Sequence, residues 1–379
     1  MPIYLIALLC VFNHSCFGGS RMAIALYALD LGASQFDVGV LMAFYALFPV
    51  FLAIWVGKLV DRIGPRNPMM YGSLGVGLAT LLPSFFPSLA TLYFCSLLIG
   101  FSFHFFFIAV NGVSGGIGGP ENRTKNYAVV SIGFSSAAFL GPFTTGFAID
   151  HFGFLTAFQF LSALTFVPFL LLLLKPDFLP GPNKQSSDRS KNKITDLWKI
   201  PQLQGAFIAS GILSSGLDLF QFYFPVYGHS IGLSASIIGT VMACFAVATF
   251  SVRLIIPYFV KHWGEAVILM YGIFIAAFAI ALFPFFANPW ILGMIAFVLG
   301  LGLGSGQPMS MSLIYVLAPD GRSSEAAGLR IMINNMVHFS FPLVFGGLGT
   351  ALGYFPVFLS NSALLMSGAA FLKTKYNKK

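Results

Sequence analysis

The feature that most constrains this chain is a succession of apolar runs, each about as long as a membrane-crossing helix, which needs about 20 such residues. They fall at 3–28, 36–57, 68–87, 89–111, 127–149, 154–174, 202–227, 234–257, 265–286, 289–317, 326–350 and 353–372. Twelve spans are therefore expected. All should be helices, because backbone in lipid has to satisfy its own N–H and C=O groups. Composition supports the reading. Only 8% of the 379 residues are charged and 57% are hydrophobic, against about 25% charged in soluble domains. The first residues, MPIYLIALLC, have no basic segment ahead of the apolar run, so no cleavable signal peptide is expected there. The fold class is all-α integral membrane.

One polar stretch interrupts the pattern between Lys175 and Pro201, and contains PGPNKQSSDRSKNK. It reads as a linker between a six-helix bundle at 1–174 and a second at 202–379. Charge placement fixes an expected orientation. With the N-terminus inside, every Lys and Arg except Arg21 falls in a cytoplasmic loop, the C-terminal tail or the cytoplasmic end of a span. This is the positive-inside pattern, with both termini cytoplasmic. The net charge of +8 is then a topology signal and gives no reason to expect nucleic acid as a partner. Short loops point to a plasma membrane, of bacterial inner-membrane type. An internal repeat reinforces the two-bundle plan. At an offset of 200, Gly32/Gly232, Ser34/Ser234, Gly39/Gly239, Met42/Met242, Gly64/Gly264, Gly100/Gly300, Pro142/Pro342, Gly146/Gly346 and Gly153/Gly353 coincide, as does Met-Tyr-Gly at 70–72 and 270–272. Two parallel halves of six spans are a transporter plan.

Between the second and third spans stands GKLVDRIGPR, Gly57 to Arg66. It resembles the signature loop of the major facilitator superfamily, Gly-x-x-x-Asp-Arg-x-Gly-x-Arg/Lys. The resemblance extends over the whole chain through the 6+6 repeat and the basic linker. It implies a monomeric, alternating-access transporter whose loop latches the halves in the outward-facing state. Gly57 and Gly64 would then allow close approach and a tight turn, Asp61 would cap the eleventh span, and Arg62 and Arg66 would pair with acids or lipid phosphates. Pro65 stands where the family often has Arg, and the second-half loop PYFVKHWG has lost the Asp and Arg. The fifth span carries Gly133, Gly141-Pro142 and Gly146, a loose form of a Gly-Pro motif found in the family's proton-coupled exporters. Physically it is a kink with a small-residue face. The Arg that such antiporters carry in the fourth span is absent.

Charge within the hydrocarbon costs about 2.5–3.5 kcal/mol even on insertion scales, so each such residue needs a reason. Asp218 is the one acid deep in a span, the seventh. Arg21 is the one base in the outer half of a span, the first. His14, Gly18 and Arg21 follow i, i+4, i+7 spacing, and Ser214, Asp218 and Gln221 repeat that stripe 200 residues on. Arg21 and Asp218 are expected to face each other across the path. A carboxylate whose proton depends on an opposing charge suits proton coupling. His104 and Asn111 in the fourth span, Gln307 in the tenth, and Asn334, Asn335 and His338 in the eleventh are further cavity candidates. Cys10, Cys16, Cys95 and Cys244 lack metal spacing, and neither a metal nor a cofactor is expected. The expected function is secondary transport of a small solute, proton-coupled, with export of an amphiphilic, anionic or zwitterionic compound. An importer or uniporter of a metabolite or metal chelate is the alternative. An embedded enzyme or a sensor is remote, because no HExxH, nucleophile elbow or soluble domain is present.

Overall fold

The computed structural model describes residues 2–117, 122–175, 179, 194–319 and 322–376. Among them no strand occurs. The helices are α1 Pro2–Asp30, α2 Gln35–Ile63, α3 Arg66–Leu81, α4 Leu89–Gly116, α5 Arg123–Leu174, α6 Pro201–Asp218, α7 Phe224–Ser230, α8 Ala235–Trp263, α9 Glu265–Leu282, α10 Pro289–Leu317, α11 Ser323–Leu352 and α12 Tyr354–Tyr376. The linker expected at 175–201 lies largely outside the described residues.

Among the described residues, ten helical stretches are long and apolar enough to cross a membrane by themselves. The expected twelve differ for two reasons. The fifth and sixth spans are two helices that meet at Gly153 within α5, where φ of 80° and ψ of 170° break the helix with no loop between them, so they count as one stretch. The third span has just 16 residues in α3 and finishes in a 3₁₀ turn at Leu82–Ser84. The fold is thus an all-α membrane fold of twelve spans in two repeated halves.

Helix starts follow local chemistry. Ser34 accepts from the Asp37 N–H at 3.2 Å while the Asp37 carboxylate accepts from the Ser34 N–H at 2.9 Å, a reciprocal cap for α2. Asn288 accepts from the Trp290 N–H at 2.9 Å, with Pro289 opening α10. Large apolar side chains such as Phe51, Trp55, Phe278 and Trp290 stay exposed, as lipid-facing helices require.

Two compact units emerge, Met1–Ser187 with Gly228–Ala243, and Asp188–Tyr227 with Cys244–Lys379. In the first, α1 packs most extensively on α5, and Ile6, Leu9, Phe106, Val110 and Leu172 form a dry cluster. In the second, α9 packs on α10 and α12, while α6 meets α10, α11 and α12.

The repeat is visible in the backbone and in contacts. All positive-φ glycines among the described residues pair at an offset of 200: Gly32 and Gly232 (82° and 78°), Gly64 and Gly264 (83° and 76°), Gly153 and Gly353 (80° and 77°). Gly100 lies against the Tyr45 carbonyl and Gly300 against the Phe245 carbonyl. Ser162 donates to the Gly77 carbonyl at 2.8 Å and Ser362 to the Ala277 carbonyl at 2.7 Å.

Candidate functional site

The second unit brings several predicted polar residues together along α6 and α11. Asp218 closes α6 and is 1% exposed. Its Oδ2 lies 2.6 Å from Nδ1 of His338 on α11. Lower on the same helices, Ser210 Oγ donates to Asn334 Oδ1 at 3.0 Å. Ser214, between these two rungs, turns its hydroxyl to the Ser210 carbonyl at 3.0 Å. A carboxylate held this way is removed from water and keeps a hydrogen-bond partner on a neighbouring helix.

A π-helical turn, Leu219–Tyr223, follows Asp218 directly. Such turns are rare and concentrate at functional sites. Because its residues advance less about the axis than α-helical ones, the predicted stripe Ser214–Asp218–Gln221 does not continue to Gln221 with helical spacing. Ser210 and Ser215 escaped the sequence reading. Ser210 extends the Ser214–Asp218 stripe by one i−4 step. Ser215 faces elsewhere and accepts from Asn361 Nδ2 of α12 at 2.9 Å.

The first unit holds a separate set. His14 on α1 is ringed by Phe103, Phe106, Phe107 and Phe134, with centroids 4.6, 6.3, 5.9 and 4.3 Å away. Its Nδ1 is buried without a hydrogen-bond partner. His104, 8% exposed, leaves Nε2 in the same condition. Asn111 Nδ2 donates to its own helix at the Phe107 carbonyl, 2.8 Å away. Arg21 is half-buried near the Tyr45 hydroxyl, which donates to Ser20 Oγ at 3.0 Å. Gln307 is exposed on α10 and Asn335 is half-buried on α11.

In the signature loop, Asp61 and Arg62 are exposed at the end of α2, and Gly64 terminates that helix with φ 83° and ψ 163°. Arg66 opens α3 and reaches the far end of α5, donating to the carbonyls of Leu172 (3.0 Å) and Leu173 (3.3 Å). A cation on terminal carbonyls offsets the negative end of the helix dipole. Arg66 therefore serves as a helix cap where acids or lipid phosphates were expected as partners.

The Gly-Pro segment of α5 is a packing surface on two sides. A Cβ at Gly133 would stand 2.6 Å from the Ala7 carbonyl oxygen, and at Gly141 2.7 Å from that of Ser15, both on α1. A Cβ at Gly146 would stand 2.3 Å from the Ala235 carbonyl oxygen of α8, and one at Gly239 2.4 Å from the Pro142 carbonyl oxygen. One turn beyond Gly146, Asp150 accepts from the backbone N–H groups of Ala235 (3.1 Å) and Ser236 (2.8 Å), in the first turn of α8. The positive end of the α8 dipole favours a carboxylate at this place.

Comparison with known proteins agrees with this architecture. The quinolone resistance protein NorA of Staphylococcus aureus (strain COL) is 22% identical over 340 residues, covering 86% of this chain and 84% of that protein. An uncharacterised MFS-type transporter of Methanocaldococcus jannaschii is 24% identical over 343 residues, covering 87% and 86%. The crystal structure of the nucleoside transporter NupG superposes with a TM-score of 0.84 at 15% identity over 99% of this chain and 100% of that one. A peptide transporter POT structure gives 0.82 at 14% identity over 99% and 94%. The Major Facilitator Superfamily model matches residues 4–342. With the twelve spans, the gapless repeat and the loop from Gly57 to Arg66, this match establishes that the chain belongs to the major facilitator superfamily and is a membrane transporter.

Proposed function

We propose that this transporter is driven by protons and exports a small organic solute by alternating access, with Asp218 and His338 as its coupling pair. The observation that carries the reading is the 2.6 Å contact between a carboxylate 1% exposed and an imidazole on a neighbouring helix. Buried ionisable groups in membrane spans mark proton relays and substrate paths. Arg21 is the second charge assigned to coupling.

Export is supported by the likeness to a protein named for quinolone resistance and by Gly133, Gly141, Pro142 and Gly146 in the fifth span. The proposed organisation is a monomer of two six-helix halves, 1–174 and 202–379, joined by 175–201. Its termini are cytoplasmic, in a bacterial inner membrane, as the distribution of Lys and Arg supports.

The test is accumulation of a labelled compound panel in cells overproducing the protein and cells lacking it, with and without a protonophore. Lower accumulation that the protonophore restores is expected. Asp218→Asn and Arg21→Met should each abolish it at unchanged protein level. Raised accumulation of a compound would make the protein an importer, and undiminished coupled export by Asp218→Asn would remove the coupling role.

A further inference from the structure

The two limbs of α5 meet at Gly153 without a loop and leave a groove between them. One wall is Phe143, Phe147 and His151, which recur at i, i+4 and i+8 on the first limb. Their rings follow one another with centroids 4.9 and 5.9 Å apart. The other wall is Phe152, at the turn, with Thr156 and Phe160 on the second limb, and Ala148 lies between the walls. The groove encloses about 530 Å³ and its lining is almost wholly apolar. Thr144 and His151, which also line it, turn to their own helix: the Thr144 hydroxyl donates to the Leu140 carbonyl at 2.6 Å, and His151 Nδ1 lies 2.9 Å from the Phe147 carbonyl. A polar solute would find little here to bond.

The groove is open to the surroundings of the bundle. Phe147, Phe152 and Phe160 are 41%, 72% and 40% exposed. Other sides of the same limb are closed by protein, with Gly141 against α1 and Gly146 against α8. Phe143 stands ten residues before Gly153 and Phe160 seven after it, about 15 and 10 Å along a helix that rises 1.5 Å per residue. Half of a hydrocarbon core about 30 Å thick is about 15 Å. The groove therefore runs the depth of one leaflet, with His151 at the end next to the turn. The internal repeat shows that the turn does not require these rings. At an offset of 200, Phe143, Phe147, His151 and Phe160 become Leu343, Gly347, Ala351 and Ser360, yet the same turn forms at Gly353 with φ 77°.

We propose that this groove holds one phospholipid of the adjoining leaflet, with an acyl chain between the two walls and the headgroup beside His151. The groove is continuous with the lipid-facing surface of the spans, so a chain enters it without crossing water. Methylenes seated there touch rings on both sides, a contact that a flat helix surface does not give. The bound chain fills the side of α5 that α1 and α8 leave open. The site depends on the membrane fold and is independent of the direction and driving force of transport.

The experiment takes full-length protein, delipidated in detergent and titrated with dioleoyl-phosphatidylglycerol, and counts retained lipids by native mass spectrometry. Wild type should hold one lipid more tightly than the rest. Ala148→Trp, which fills the groove, and Phe147→Ala, which removes the middle of one wall, should each weaken that lipid about tenfold. Phe278→Ala removes a ring that is 65% exposed on α9 and should leave it unchanged. Dihexanoyl-phosphatidylglycerol, with the same headgroup and short chains, should compete poorly. Melting in detergent confirms that each variant is folded, and Phe147→Ala carries the test alone if Ala148→Trp is not. Absence of a tight lipid in wild type, equal retention by wild type and the folded groove variants, or equal competition by the short-chain lipid overturns the proposal. Loss of the tight lipid in Phe278→Ala overturns it too, since the lipid would then belong to a general coat. Displacement of that lipid by a compound the protein exports would assign the groove to the solute instead.

Discussion

A carboxylate buried in the middle of a membrane span survives only with partners, and His338 is the one that determines what Asp218 can do. Replacing His338 with Asn keeps a polar side chain but withdraws the ring that reaches Oδ2. The expected cost is about 1–3 kcal/mol for an under-satisfied buried group, read as a lower melting temperature in detergent. Protonophore-sensitive transport should be lost in the same variant. A His338→Asn protein that melts and transports like wild type would show the contact to be incidental. Asp218 was legible in the sequence because a lone acid inside an apolar run is conspicuous. His338 was legible only as one of several polar residues on the eleventh span, since pairing across 120 positions depends on how α6 and α11 pack. The π turn at Leu219–Tyr223 has no spacing signature, so Gln221 was assigned to the Asp218 stripe. Ser210 went unnoticed for a plainer reason: a serine in a membrane helix ordinarily bonds its own backbone.

Among the elements, α5 carries the most instructive contacts. Its glycines let α1 approach on one side and the first turn of α8 on the other. A branched side chain at Gly141 would meet backbone, which cannot yield as a side-chain tip can. Gly141→Val should therefore separate α1 from α5 and destabilise by about 1–3 kcal/mol, as overpacking does, seen as reduced folded protein in the membrane. Normal yield and melting would mean that the two helices tolerate a wider spacing. Asp150 provides a different hold, a carboxylate on the two N–H groups that open α8. Asp150→Ala should cost about 0.5–2 kcal/mol, the usual value of a helix cap, and Asp150→Asn less; equal melting for all three proteins would rule the cap out. The Gly-Pro motif and its small-residue face were readable from sequence. Which helices it would meet was not, because small residues specify closeness and not the identity of the neighbour. The twelve spans were likewise readable, including the division of the fifth from the sixth at Gly153, whose φ of 80° breaks the helix there.

At the scale of the molecule, the three glycine pairs record where each half turns. Gly64 and Gly264 sit near φ 80° and ψ 160°, a region open essentially to glycine alone. A Cβ at Gly264 would meet nothing within 4 Å, so Ala there tests the backbone without a clash. Gly64→Ala and Gly264→Ala should each destabilise by about 1–3 kcal/mol. Melting should fall equally in both, while transport should suffer more from Gly64→Ala, whose loop retains Asp61 and Arg62. Unequal melting would mean that the two turns are not equivalent. The offset that joins these pairs stays at 200 from Gly32 to Gly353. Any net insertion or deletion in one copy would have broken it at every later turn. Since the copies parted, the chain has therefore diversified by replacing residues in place, and its ancestry is written as two equal measures of the same length.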